Sequence, residues 1–109
     1  MKKLSYQEYL AFLLLYAAYA DQSLDREEIL KILDLVKKDD YVRMKELILS
    51  MNDQKRIDLA LEYRNIYLQN REQIDQALLD IEVVFLADHD FLPIEKFYFS
   101  FLNKFFHRS

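Results

Sequence analysis

With 109 residues the chain has room for one domain, and its apolar fraction of 52% is sufficient for a hydrophobic core. It contains no glycine and a single proline, which disfavours a β-rich fold because such folds need these residues at their many turns. The absence of cysteine excludes disulfides and thiolate chemistry, and a net charge of -4 gives little electrostatic support for nucleic-acid binding. The composition therefore predicts an all-α domain whose natural partners are cations or basic protein surfaces.

The first predicted helix begins at a capping box, the Ser-Tyr-Gln-Glu sequence at positions 5–8. It runs from Tyr6 to Ala20 and is apolar on nearly all sides from Leu10 onward. A helix that is apolar all round is typical of the centre of a bundle, so we expect this helix to be the most buried one.

The same stretch also looks like a signal peptide, because Lys2 and Lys3 precede the apolar run and Ala-Tyr-Ala at positions 18–20 imitates a cleavage site. The polar Gln7 and Glu8 interrupt that pattern, and the repeat described below needs the helix, so we expect it to be retained. The run is too short to span a bilayer. We therefore expect no membrane insertion and a cytoplasmic location.

Two further helices are predicted between residues 23 and 51. Ser23 or Asp25 is the N-cap of the second helix, and a charged link of two lysines and two aspartates follows it at positions 37–40. The third helix runs from Tyr41 to Ser50. Apolar residues at helical spacing predict the buried faces, which are Ile29, Ile32, Leu33 and Val36 on the second helix and Met44, Leu47, Ile48 and Met51 on the third.

Polar and proline signals divide the rest of the chain into three more helices, about six in all. Asn52 or Asp53 caps the fourth, Asn70 separates the fourth from the fifth, and Pro93 suits the first turn of the sixth. The residues expected to be buried are Ile57, Ala60, Leu61 and Ile66 on the fourth helix and Ile74, Ala77, Leu78, Ile81, Val84 and Phe85 on the fifth.

The sequence contains an internal repeat, in which residues 16–35 align without gaps on residues 83–102. Each copy reads as a buried helix, an Ala-Asp pair, two polar residues, one apolar residue and a glutamate in the next helix. The repeat predicts two equivalent helix–junction–helix units in one bundle. The matched acidic residues are Asp21 with Asp88 and Glu28 with Glu95.

These residues resemble the TerB-like family, named for bacterial tellurite-resistance proteins, whose hallmark is two Ala-Asp-Gly motifs followed by a glutamate at helix–helix junctions. The resemblance covers Leu10 to Phe106. It implies an all-α fold and a non-enzymatic binding module of stress-response or membrane-associated assemblies. The family's glycine is replaced by Gln22 in the first copy and His89 in the second. Glycine allows a ligand to approach the backbone closely, so its loss from both copies affects a shared ion-binding role more than it affects the fold.

The repeated carboxylates have two interpretations. If the two junctions pack together, their oxygens form the kind of site that Ca²⁺, Mg²⁺ or Mn²⁺ prefers, and the resemblance implies the same. Alternatively, the aspartates cap the following helices and the glutamates complete the capping boxes, which explains the spacing equally well and is the simpler reading. The candidate ligands are Asp21, Glu28, Asp88, Glu95 and His89.

Aromatic residues provide the candidate surfaces for a protein partner. The tail from Phe97 to Phe106 is apolar on several sides, so one face must pack under the first helix or against a partner, including a second copy of the chain in a homodimer. On the fourth helix, Tyr63, Tyr67 and Arg64 are predicted to form an exposed rim suited to protein contacts. The alternative is an ordinary solvated helix face on which the tyrosines extend their hydroxyl groups to water. The candidate partner-binding residues are Phe99, Phe106, Tyr98, Tyr63 and Tyr67.

No catalytic arrangement is recognisable in the sequence. No serine stands with a histidine and an acid in a known pattern, and a phosphate-binding loop would need glycine. We therefore expect a protein that is not an enzyme. A second hypothesis, besides the TerB-like module, is an acidic helical interaction or inhibitor protein that neutralises a basic partner without a bound ion, as bacterial immunity proteins do.

Overall fold

The computed structural model describes residues 3–18 and 26–85, and this part of the chain is all-helical, with five α-helices and no strand. The all-α prediction is confirmed for these residues. The sixth predicted helix and the aromatic tail lie outside them. The helices are α1 (Tyr6–Ala18), α2 (Arg26–Leu35), α3 (Lys38–Leu49), α4 (Asp53–Tyr67) and α5 (Arg71–Phe85).

Helix α1 is the centre of the bundle, as its all-round apolarity predicts. Every side chain from Tyr9 to Ala18 is buried, and the helix contacts each of α2, α3, α4 and α5. The predicted capping box begins it: the Ser5 amide donates to Glu8 Oε1 at 2.9 Å and the Glu8 amide donates to Ser5 Oγ at 3.1 Å. Nowhere in the two described ranges is a helix long and apolar enough to cross a membrane.

Helix α3 begins earlier than the sequence pattern predicts. The expected charged link at positions 37–40 is wrong, because α3 starts at Lys38 and Lys37 is its extended N-cap residue. Asp39 and Asp40 lie in the first turn, where the positive end of the helix dipole favours carboxylates. Arg43 forms an ion pair with Asp40, and its Nε also lies 3.2 Å from Oε2 of Glu8 in α1. The first turns of α3 are therefore part of the contact between α1 and α3.

The turn from α3 to α4 is closed by polar side chains. Asn52 is the N-cap of α4, since its side chain accepts a hydrogen bond from the Lys55 amide at 2.9 Å. Arg56 reaches back and donates to the carbonyl oxygen of Ile48, through Nε at 3.0 Å and a terminal nitrogen at 2.8 Å. A positive charge at the carboxyl end of α3 also complements the helix dipole.

The buried face of α4 differs from the predicted one. Leu61 and Ile66 are each 37% exposed, whereas the tyrosine at position 63 is only 7% exposed. Burying a tyrosine ring removes more apolar surface from water than burying a leucine or isoleucine, provided that its hydroxyl finds a partner. The prediction for Leu61 and Ile66 was therefore wrong, and the buried residues of α4 are Leu59, Ala60 and Tyr63.

Helix α5 packs on α1 and α2 through the face that its spacing predicts. Asn70 precedes the helix and its side chain accepts from the Gln73 amide at 2.9 Å, which confirms the predicted break between α4 and α5. The opposite face is solvated, and Leu79 on it is 51% exposed. The buried residues are Ala77, Leu78, Ile81 and Val84, and Ile74 is partly buried against them.

Candidate functional site

Most of the residues singled out by the sequence lie outside the described ranges. This applies to four of the predicted cation ligands and to the three candidate partner-binding residues of the tail. Glu28 is the predicted ligand that the structure describes. Within residues 3–18 and 26–85, no group of three or more His, Asp or Glu side chains is arranged to hold a metal ion. The residues outside these ranges are Asp21, Asp88, His89, Glu95, Tyr98, Phe99 and Phe106.

Glu28 is completely buried, with 0% of its surface exposed. It is the third residue of α2, the position that the glutamate of a capping box occupies, and Ile32 one turn later is equally buried. Glu8 occupies the same position in α1 but remains partly exposed beside its N-cap serine. Burying a carboxylate is costly unless positive charge or hydrogen-bond donors compensate it. The side chain of Glu28 is therefore part of the protein interior at the start of α2.

A cluster of four tyrosines connects the start of α1 to the end of α4. The rings of Tyr6 and Tyr67 meet edge to face, with their centroids 5.7 Å apart and their planes at 74°. Tyr63 and Tyr67 are stacked at 6.2 Å, and Tyr9 lies within 6 Å of both. Aromatic pairs at these separations stabilise a fold beyond the area that they bury. We call Tyr6, Tyr9, Tyr63 and Tyr67 the tyrosine cluster.

The hydroxyl groups of the tyrosine cluster bind backbone groups. Leu4 donates its amide to the Tyr63 hydroxyl at 3.0 Å, and its carbonyl oxygen accepts from the Tyr67 hydroxyl at 2.7 Å. The Tyr9 hydroxyl donates to the Ala60 carbonyl oxygen at 2.7 Å, and burial raises its pKa well above the ordinary value. The predicted exposed rim on α4 is thus wrong for Tyr63, which is buried and accepts a hydrogen bond from the segment before α1.

An open groove of about 500 Å³ lies beside the tyrosine cluster. It is formed where the start of α1 meets the end of α4 and the start of α5. Of its lining residues, Tyr67 is the one that the sequence predicts as a candidate for partner contacts. The pairing of tyrosines three or four positions apart on two helices was the available signal for the cluster. We call this the tyrosine groove, and it is lined by Tyr6, Ile66, Tyr67, Glu72, Gln73 and Gln76.

Charged side chains of both signs act on the tyrosine cluster: Asp80 acts on Tyr6, and Arg64 acts on Tyr9. Gln76 donates its side-chain NH₂ to Asp80 at 3.1 Å, one turn further along α5. Burial raises the pKa of Asp80, and the hydrogen bond from Gln76 opposes that rise. Burial also raises the pKa of Tyr6, and the negative charge of Asp80 adds to this effect. Tyr6 thus experiences the field of Asp80, which favours positive charge near the groove.

A second depression of about 500 Å³ continues along the outer face of α5 and shares Glu72 and Gln76 with the tyrosine groove. It ends at the exposed side chain of Leu79. Arg71 lies 3.7 Å from Asp75, so these two charges offset each other locally. Glu72 is the carboxylate that lines both this depression and the tyrosine groove.

The sequence matches no known family model, and neither characterised proteins nor solved structures show significant similarity to it. The TerB-like resemblance accordingly stays a prediction, which depends on the repeated acidic motif.

Proposed function

We propose that the protein is a non-enzymatic, TerB-like binding module that holds a divalent cation weakly at its acidic helix junctions, within a stress-response or membrane-associated assembly. The observation that carries this proposal is the complete burial of Glu28 in the first turn of α2. A glutamate that serves as a helix cap alone has no need to leave water, as the partly exposed Glu8 illustrates. A buried carboxylate at the start of a helix is instead suited to binding a cation.

The other proposed ligands are oxygen donors of the same kind. Asp21 precedes Glu28 at the first junction, and Asp88 and Glu95 are their counterparts in the second copy of the repeat. Carboxylate oxygens are the preferred ligands of Ca²⁺ and Mg²⁺ and also suit Mn²⁺. His89 adds a nitrogen donor in place of the family's glycine. We expect weak affinity because neither junction has the family's glycine, which would allow the cation to approach the backbone closely.

Thermal unfolding in millimolar Ca²⁺, Mg²⁺ and Mn²⁺ tests the proposal. A cation at ten times its Kd stabilises the folded state by about 1.4 kcal/mol, which raises the melting temperature by several degrees in a domain of this size. Glu28→Gln should lose this increase, whereas Asp34→Asn, at an exposed position of the same helix, should keep it. An unchanged melting temperature of the wild-type protein in all three cations would contradict the cation site.

NMR amide shifts locate the cation independently of stability. Saturable shifts at Gln22 and His89 are expected during the same titrations. They should vanish in the double variant Asp21→Asn with Asp88→Asn. If the double variant is less stable but the wild-type spectrum does not respond to any cation, the repeated acids are helix caps.

A second function is supported by the tyrosine groove. An acidic helical protein that docks on a basic partner without any ion needs an exposed surface that combines aromatic area with negative charge. The groove offers two tyrosine rings beside Glu72, and the exposed Leu79 lies next to it. Binding of a basic partner that persists in excess chelator would favour this function, and binding that requires a divalent cation would favour the first.

A further inference from the structure

The tyrosine groove combines three kinds of surface at one place. The edge-to-face rings of Tyr6 and Tyr67 provide an aromatic wall, with their centroids 5.7 Å apart. Glu72 provides an exposed carboxylate in the first turn of α5. Gln76 directs its NH₂ group to Asp80, so its amide oxygen remains as an acceptor. An aromatic wall beside hydrogen-bond acceptors is a recognition surface for an organic cation.

We infer that the tyrosine groove binds the guanidinium group of an arginine in a basic segment of a protein partner. A guanidinium is planar and weakly hydrated, so it stacks on a tyrosine ring while its edge donates hydrogen bonds. Its fork of N–H groups matches a carboxylate, which Glu72 supplies. The volume of about 500 Å³ accommodates one long side chain and part of the backbone that carries it.

The charges around the groove favour this occupant over others. Arg64 acts on the buried Tyr9 of the cluster but does not line the groove. Glu72 lines it, and the field of Asp80 reaches Tyr6. An anionic ligand in the groove is therefore disfavoured. A metal ion would need several converging oxygens, and the described residues contain no group of three acidic or histidine side chains suited to one. A lysine ammonium is a compact, strongly hydrated charge that gains less from an aromatic wall. The net charge of -4 also favours a basic partner over the whole surface.

This inference specifies the contact for the second function, docking on a basic partner, and rests on that function rather than on the cation site. All titrations are therefore performed in excess chelator, so that failure of the cation site cannot affect their result.

The experiment is a titration of the full chain with a short, capped basic peptide that has arginine at its centre, followed by NMR. Two matched peptides carry citrulline, which keeps the shape but removes the charge, or lysine. We expect saturable shifts at Glu72 and Gln76 with the arginine peptide. Affinity should fall about tenfold or more with citrulline and to an intermediate level with lysine. Equal binding of arginine and citrulline would overturn the inference.

Two variants assign the binding to the groove. Glu72→Gln should weaken the arginine peptide about tenfold, whereas Glu46→Gln, at an exposed position of α3, should leave its affinity unchanged. Tyr6→Leu removes one ring and should weaken binding similarly, with its thermal melt as a check of folding. If the peptide binds with shifts elsewhere and ignores both groove variants, the groove assignment is overturned while docking on a basic partner survives. If no peptide binds, both are overturned.

Discussion

Tyr63 and Tyr67 hold the segment before α1 through their hydroxyl groups as well as their rings. We expect Tyr63→Phe to cost about 1–3 kcal/mol of unfolding free energy, because it leaves the buried amide of Leu4 without its acceptor. Tyr67→Phe should cost about 1 kcal/mol, since one lone pair of a carbonyl is more easily satisfied by water. Urea unfolding measures both values. Tyr6→Phe is the control and should change stability by less than about 0.5 kcal/mol.

Glu8 links stability to pH in the acidic range. Its pKa in the folded protein is lowered from 4.5, first by the hydrogen bond from the Ser5 amide and then by Arg43. The folded protein therefore favours the charged form of Glu8. This carboxylate stabilises the fold at pH values above its unfolded pKa, and the stabilisation is lost as the pH falls through its lower folded pKa. Glu8→Gln should be less stable than the wild type near neutral pH, and the difference should disappear in acid.

Urea unfolding at several pH values between the neutral range and strong acid checks this prediction. Glu46→Gln, the same substitution at an exposed position of α3, is the matched control. A constant gap between Glu8→Gln and the wild type at all pH values would mean that the carboxylate charge of Glu8 does not contribute.

Arg56 shows how one helix can support the end of another. It donates two hydrogen bonds to the carbonyl oxygen of Ile48 at the end of α3. We expect Arg56→Met to cost about 1–2 kcal/mol, because it removes charge-assisted hydrogen bonds and a favourable interaction with the helix dipole. Hydrogen exchange should accelerate mainly in the last turn of α3. Lys55→Met, an exposed neighbour, should leave that turn unchanged.

The helices were predictable from the sequence wherever local signals determine them. The capping box at Ser5 and the break at Asn70 are confirmed because each is a hydrogen bond between residues close in the chain. The contact of α3 with α1 and the buried face of α4 depend on partners far along the chain. Arg43 reaches Glu8, and Tyr63 reaches Leu4, so apolar spacing alone does not reveal them.

The candidate site was less predictable than the fold for the same reason. The tyrosine groove lies where the start of α1, the end of α4 and the start of α5 are adjacent. A sequence pattern does not show which helix ends are adjacent in the fold. The aromatic tail was a more conspicuous candidate, and it lies outside the described residues. For the acidic junctions, the repeat predicts the position of Glu28 in the second helix but not its complete burial, which depends on how α2 packs.

At the scale of the whole molecule, α1 makes one core of all five described helices. Leu14 is fully buried in α1, and we expect Leu14→Ala to cost about 2–5 kcal/mol. Leu79→Ala, on the solvated face of α5, should cost less than about 1 kcal/mol. Because the described helices all contact α1, near-UV and far-UV signals should report one coincident unfolding transition. Two separate transitions would contradict a single core.

The attachment of Leu4 has a consequence for hydrogen exchange. This residue precedes α1, and an amide before a first helix ordinarily exchanges with solvent deuterium rapidly. Here its N–H is buried and bound to a side chain that belongs to a helix far along the chain. Its deuteration should therefore be slow, and it should accelerate together with amides near Tyr63 in α4. The exchange rate of the Leu4 amide proton thus reports whether the segment before α1 remains bound to Tyr63 of α4.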